Sequence, residues 1–507
     1  MKLTLTDIKK SYSVIKKSAF EEFKNGNLEK SLELIDHAAV LAQQFNWIYS
    51  DEELERLLQC ISKNLFKDSA REFSPIENRV VFFDDFCTSF VLAIQYLNAL
   101  VAADKEILYI TSRDIDAETK FAHIIDTIKD YPKLSIKTVP SKGQSRQSRI
   151  KYIHQTIVDF KPSKLLLHIK ANSICIPALY ALPQKITRYL INLADQTFWL
   201  GSRGIDYSLE FRQFGVSVSL QRRGLSQKQL LLIPFYPIVD NNPFQGFPEQ
   251  CHLPGKVIIF SGGDFYKTID KEKTYWKLVK GILDNHPEVL FLFATKKKLN
   301  ASDIIQRFII ENNLMNRFFY IGFRPDINEV FKHCDIFMGT CPASGSLMSQ
   351  LSAVNTKPIL QYYMPDTPDN ETEAVICHNR QLSISFQDRS KFFKEATKLI
   401  KNKKYRLSKG YELKEAMITT EQFETLVKHS LNTNKSQIQV KPYKINYRLL
   451  DKRWLEIENE SYIDTLSYIY SLLKEAKRLN NAISISIKYQ FRRFIINKIF
   501  NYNWWVK

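Results

Sequence analysis

The chain has 507 residues, 44% hydrophobic and 25% charged, which excludes a disordered chain and implies two or three folded domains. Its seven cysteines (60, 87, 175, 251, 334, 341 and 377) stand singly with no C-x-x-C pair, so reduced thiols in a cytoplasmic protein are expected. The net charge of +18 suits nucleic acid, anionic lipid and phosphorylated substrates alike, and its spread along the whole chain singles out none of them.

The opening MKLTLTDIKKSYSVIKKS lacks the apolar run of a secretory signal, and no segment approaches the roughly 20 apolar residues that span a bilayer. Residues 1–75 read as helices. AFEEFKNGNLEKSLELIDHAAVLAQQF carries apolar residues at helical spacing, broken at Gly26-Asn27, and resembles one tetratricopeptide-like hairpin. No second copy recurs at a fixed period, so a repeat array is not expected.

From about residue 76 strands and helices alternate. RVVFFDD (79–85), EILYITS (106–112), LSIKTVP (134–140), KLLLHI (164–169) and TRYLINLA (187–194) predict a first parallel sheet within residues 76–245. After the linker NNPFQGFPEQCHLPG, residues 250–432 repeat the pattern with KVIIFSG (256–262), VLFLFAT (289–295), FFYIGF (318–323), DIFMGT (335–340) and KPILQYY (357–363). The expected fold class is α/β, with two Rossmann-like domains facing across a cleft. Ligands of such sheets bind beyond the carboxyl ends of the strands.

Three strand ends of the second domain have features suited to a nucleotide. Gly262 and Gly263 allow close backbone approach, and Lys267 supplies a charge for phosphate. Phe323 and Arg324 suit a planar base, with Asp326 as a helix cap. Ser344, Gly345 and Ser346 fall at a predicted helix start, where free N–H groups and the helix dipole favour an anion. Each turn alone also reads as an ordinary strand-to-helix connection; their convergence on one sheet edge points to a nucleoside diphosphate.

In that order, glycine turn, nucleoside loop and pyrophosphate helix, residues 256–362 resemble the donor-binding half of GT-B fold glycosyltransferases, as in bacterial polysaccharide or lipopolysaccharide and O-GlcNAc-type enzymes. The likeness covers roughly residues 77–430. It implies a metal-independent enzyme that uses a nucleotide-sugar, UDP-linked by expectation, as a substrate rather than a cofactor. The implied acceptor is a glycan, lipid-linked or protein molecule in surface polysaccharide synthesis. Many retaining members have two glutamates eight positions apart; here Glu371 and Glu373 are followed at that distance by Asn379 and Gln381, so stereochemistry is not inherited.

In the first domain, Asp195 is the leading candidate for the base that takes the acceptor proton, with His168 second. Asp84, Trp199 and Asp206 are expected on the acceptor side, and Asp85 is a further strand-end carboxylate. LADQTFWLGSRGIDYSLEFRQFG resembles an acceptor-side signature in which a histidine follows the aspartate, but Gln196 stands there instead. A structural reading competes at each position: Asp195 as a helix cap, Asp206 paired with Arg212, His168 buried and satisfied. Asp114-Ile115-Asp116 has a D-x-D form but lies away from the proposed phosphates and reads as a helix-start turn, so no metal site is assigned.

Residues 433–507 form a basic, aromatic tail. From 471 to 507 it has eight basic residues and one acidic, interleaved with Tyr489, Phe491, Phe494, Phe500, Tyr502, Trp504 and Trp505. Such a segment suits the headgroups of an anionic inner leaflet. Nucleic acid is the rival partner and is not expected here; a helix packed on the fold is the structural alternative. A UDP-sugar 2-epimerase would explain the phosphate features equally, and Gln196 favours a non-catalytic GT-B binding protein.

Overall fold

The computed structural model describes residues 4–67, 72–85, 90–112, 124, 126, 128–140, 143–239, 242–296, 301–364 and 371–461. The chain begins with helices Leu5–Lys24, Leu28–Phe45 and Glu52–Leu65. Thr4 and Asp7 close a capping box at the first, Asn27 caps the second, and Asp51 accepts the Glu53 and Leu54 N–H groups of the third. These helices do not form a separate unit. Ile15, Leu34 and Leu58 share one core with Val81, Phe83 and Leu165 of the first sheet. The buried Glu55 carboxylate accepts the Gly201 and Ser202 N–H groups at 2.7 and 3.1 Å, and the Tyr180 hydroxyl.

The first sheet consists of β1 (Ile76–Asp84), β2 (Glu106–Thr111), β3 (Leu134–Thr138), β4 (Pro162–His168), β5 (Thr187–Ile191), β6 (Tyr207–Glu210) and β7 (Leu230–Leu232). All pairings are parallel in the order β3-β2-β1-β4-β5-β6-β7. Val80 to Phe83 are buried consecutively rather than alternately because helices cover both faces. The second sheet contains β8 (Val257–Gly262), β9 (Val289–Ala294), β10 (Phe318–Gly322), β11 (Ile336–Met338), β12 (Ile359–Tyr362) and β13 (Ser385–Phe386). It is parallel in the order β10-β9-β8-β11-β12-β13.

The order reverses between β1 and β4 in the first sheet and between β8 and β11 in the second, so each sheet has its ligand crevice there. Strands β6, β7 and β13 are additions to the pattern read from sequence. They have four, three and two residues, too few to show a hydrophobic period.

The C-terminal part of the chain ties the two sheets together. Helix Thr420–Thr433 sets Phe423 edge-on against Tyr96 and Tyr236 of the first domain, at 5.2 and 5.3 Å between ring centroids. Residues 436–446 then follow helix Gln213–Arg222, with Lys441 N–H bonded to Gln213 and Tyr443 N–H to Ser217. Helix Tyr447–Ser461 touches both helix Leu28–Phe45 and the turn Phe265–Thr268. The basic aromatic stretch 471–507 lies outside the described residues, as does Asp114-Ile115-Asp116. No helix among the described residues is long and apolar enough to cross a membrane.

Candidate functional site

At the β8/β11 crossover, a cleft of about 220 Å³ opens between the two domains. Lys267, Ser344, Ser346, Leu347 and Glu371 line it from the second domain, and Leu92, Gln95, Asp195, Gln196 and Arg212 from the first. The turn after β8 creates the first half of the site. At Gly263 φ is +141°, a backbone conformation that glycine adopts freely, and a Cβ at Gly262 would lie 2.7 Å from the Ala294 carbonyl oxygen. Gly262 is therefore needed for packing against β9, and Gly263 for the turn that delivers Lys267.

The second half is the start of helix Ser346–Val354. Gly345 occupies its N-cap position, with no side chain to cap the free N–H groups. The Lys267 ammonium reaches this loop, donating to the Ser344 carbonyl at 3.3 Å, and a Cβ at Gly345 would lie 3.6 Å from it. No carboxylate among the described residues lies within ion-pair distance of Lys267. Burial depresses its proton affinity, and Asp264 and Glu371 offset this only in part. An ammonium with no ion pair among the described residues, beside an uncapped helix N-terminus, is a site short of negative charge.

Across the cleft, Arg212 joins the two domains. Its guanidinium donates to both Asp195 oxygens at 2.6 and 2.9 Å and to Glu371 at 3.1 Å, all in a nearly water-free setting. Burial opposes the charge of Arg212, but Asp195 and then Glu371 outweigh it and stabilise the charged form. Asp195 therefore lies in the cleft as expected, but with both oxygens engaged it holds Arg212 rather than standing free to accept a proton. Glu371 has only one oxygen committed to Arg212 and lines the open space.

The other sequence candidates separate into three groups. Arg324 is not available to a nucleotide: it forks onto Asp326 at 2.7 and 2.6 Å, donates to the Gly246 carbonyl and packs beside Phe244 and Phe247. Its neighbour Phe323 is 61% exposed beyond β10, with the Lys296 ammonium over its ring. Asp84 and His168 meet at the ends of β1 and β4, Nδ1 to Oδ1 at 2.9 Å, with the Tyr109 hydroxyl on the other Asp84 oxygen. Both are 1% exposed, beneath the sheet edge rather than on it.

Trp199 and Asp206 do not face the cleft. Trp199 is buried beside the Arg223 guanidinium. Asp206 precedes β6, at the opposite edge of the sheet, and forks onto Arg188 rather than pairing with Arg212. The missed partnership, Asp195 with Arg212, follows from β6: both residues lie at the carboxyl edge because a strand separates Asp206 from Arg212. Recognising YSLE as a strand was the signal that could have found it. No group of three or more potential metal ligands is found among the described residues.

No family model matches the chain, and no curated protein matches it in sequence. Solved structures do resemble it. The Anabaena protein HepE in complex with UDP is 11% identical, with 70% of this chain covering 100% of that one at a TM-score of 0.50. A mutant of S. aureus TarM, in complex with fondaparinux, alpha-GlcNAc-glycerol and UDP, is 9% identical over 70% of this chain and 99% of that one (TM-score 0.49). A putative UDP-N-acetylglucosamine 2-epimerase from Listeria monocytogenes is 11% identical over 73% and 100% (TM-score 0.48). At such identities the likeness concerns fold alone. Together with the two parallel sheets and the cleft at their crossovers, it shows a GT-B-like fold.

Proposed function

We propose that the chain is a glycosyltransferase that takes its sugar from a nucleotide-sugar, UDP-linked by preference, bound at the β8/β11 crevice. One observation supports this above the rest: Lys267, without a carboxylate partner among the described residues, lies against the uncapped start of helix Ser346–Val354. The diphosphate would accept from the N–H groups of that helix and from Lys267, with the helix dipole supplying part of the neutralising charge. Phe323 would stack on the base. The sugar would then point toward Glu371, whose uncommitted oxygen can accept from its hydroxyls, while Arg212 and Asp195 hold that carboxylate in place. The acceptor, a glycan or lipid-linked molecule of surface polysaccharide synthesis, would approach from the first domain.

Incubating the full chain with UDP- and GDP-sugars, with and without oligosaccharide acceptors, tests the proposal. Acceptor-dependent nucleotide release is the expected result. A C2 epimer formed without acceptor would replace the reading with an epimerase. Nucleotide binding without turnover of any sugar would leave a binding protein.

A further inference from the structure

A second cleft, of about 280 Å³, lies at the β1/β4 crossover, the ligand crevice of the first sheet. Asp85, Lys170 and Asn172 rise into it from the ends of β1 and β4, helix Leu28–Phe45 roofs it with Asp36, and helix Arg146–Phe160 borders it with Arg149. The donor site uses none of these residues.

The charges around this cleft are unevenly satisfied. The N-terminus of helix Arg146–Phe160, a natural anion site, is already filled from within: Glu29 accepts the Arg146 and Gln147 N–H groups at 2.9 and 3.3 Å. Arg146 is further held near Glu29 and Asp36, at 3.5 and 3.7 Å. One turn on, Arg149 has no carboxylate within ion-pair distance among the described residues, and its buried Nε has no acceptor. Burial and then Arg146 lower its proton affinity. The Lys170 ammonium likewise has no ion-pair partner among the described residues; its backbone is committed, the N–H to Asp85 at 3.0 Å and the carbonyl to the Ser173 N–H at 3.2 Å. Two cations without an ion pair among the described residues thus face a cavity too large for a single oxyanion. Asp36 and Asp85, on the same lining, act on both of them at longer range.

The rest of the lining suits a sugar ring. Asp36, its proton affinity raised by burial, and Asn172 line the cleft together, an acceptor and a donor of the kind that hydroxyls use. Leu32, Ile35 and Leu200 supply an apolar wall for the C–H face of a ring. We propose that this cleft binds an anionic saccharide unit, its acid group on Arg149 and Lys170 and its hydroxyls on Asp36 and Asn172, as the acceptor-side anchor of the transferase. The assignment rests on the glycosyltransferase reading and adds the class of acceptor: an acidic glycan, gripped jointly by the N-terminal helices and the first sheet.

Calorimetry on the full chain tests it with three probes: a galacturonic acid trisaccharide, the matching neutral galactose trisaccharide, and inorganic phosphate. The acidic trisaccharide is expected to bind, and Arg149→Met and Lys170→Met should each weaken it by about ten- to a hundredfold, the worth of a charged hydrogen bond. UDP affinity should be unchanged in both variants. Equal binding of the neutral trisaccharide, no binding of the acidic one, phosphate binding as tightly as the acidic saccharide, or wild-type affinity in the variants would each overturn the proposal. If Arg149→Met does not fold, Lys170→Met carries the same test. Failure of UDP to bind the wild type would refute the donor site instead, leaving the saccharide result to be read separately.

Discussion

The carboxyl edges of the two sheets treat their charges in opposite ways. At the β5 and β6 ends of the first sheet, Asp195 and Arg212 satisfy one another with short, buried hydrogen bonds, and Arg212 also holds one oxygen of Glu371 from across the cleft. At the β8/β11 crevice of the second sheet, Lys267 and an uncapped helix start are left with nothing negative to hold among the described residues. Both regions are polar and line one cleft. A satisfied cluster fixes geometry, whereas an unsatisfied one has affinity to give to a ligand. The contrast predicts that substitutions in the first region reduce stability and those in the second reduce binding.

The largest effect is expected from Arg212→Ala, which leaves Asp195 buried and uncompensated and removes the tie to Glu371. Unfolding by urea should show a loss of about 3–5 kcal/mol. Arg212→Lys should recover only part of it, because an ammonium cannot fork onto a carboxylate. A loss below about 1 kcal/mol would show that the cluster is not the closed unit its distances imply.

Asp85 allows the same edge to be tested by pH. Burial raises its pKa from 3.8 to about 6, above the unfolded value, while Ser173 and the Lys170 N–H counteract this. The folded chain therefore binds the proton more tightly, and stability falls as pH rises from about 4 to about 6. Asp85→Asn should remove this part of the pH dependence, a difference of about 2–3 kcal/mol between wild type and variant across that window. Parallel stability curves for the two proteins would contradict it.

Lys267→Ala should act on the other side of the comparison. UDP affinity measured by calorimetry is expected to drop by about 1.5–3 kcal/mol, while stability stays level or rises slightly because a desolvated, unpaired cation is removed. Unchanged UDP affinity would remove Lys267 from the site. Phe323→Ala should be the mildest of the four, costing about 1 kcal/mol of UDP affinity through lost stacking and leaving stability within about 0.5 kcal/mol. A large stability loss there would mean that the exposed ring packs on the fold.

Legibility differed by residue. Lys267 and Ser344 to Ser346 could be found because a strand end, a glycine turn and a run of small residues are all local patterns. Arg324 shared the same local signals, yet Asp326, two positions on, and the distant Phe244, Phe247 and Gly246 absorb it. Asp195 was legible as a cleft residue, but not as the partner of Arg212, because the intervening four-residue β6 decides which edge each side chain reaches. Glu371 entered the sequence reading only through a motif it fails to complete; its place in the cleft depends on Arg212 from the other domain.

By itself the sequence determined what short-range physics controls: continuous apolar runs that only a helix-covered parallel sheet can bury, a helix break at Gly26-Asn27, and strand-to-helix turns rich in small residues. Only the tertiary structure decided which charges pair, since a salt bridge between residues 17 or 159 positions apart leaves no periodic trace. It also decided that the N-terminal helices share the core of the first sheet and roof its crevice, and that helix Thr420–Thr433 returns to the first domain. An amphipathic face records that it must be buried, not against what.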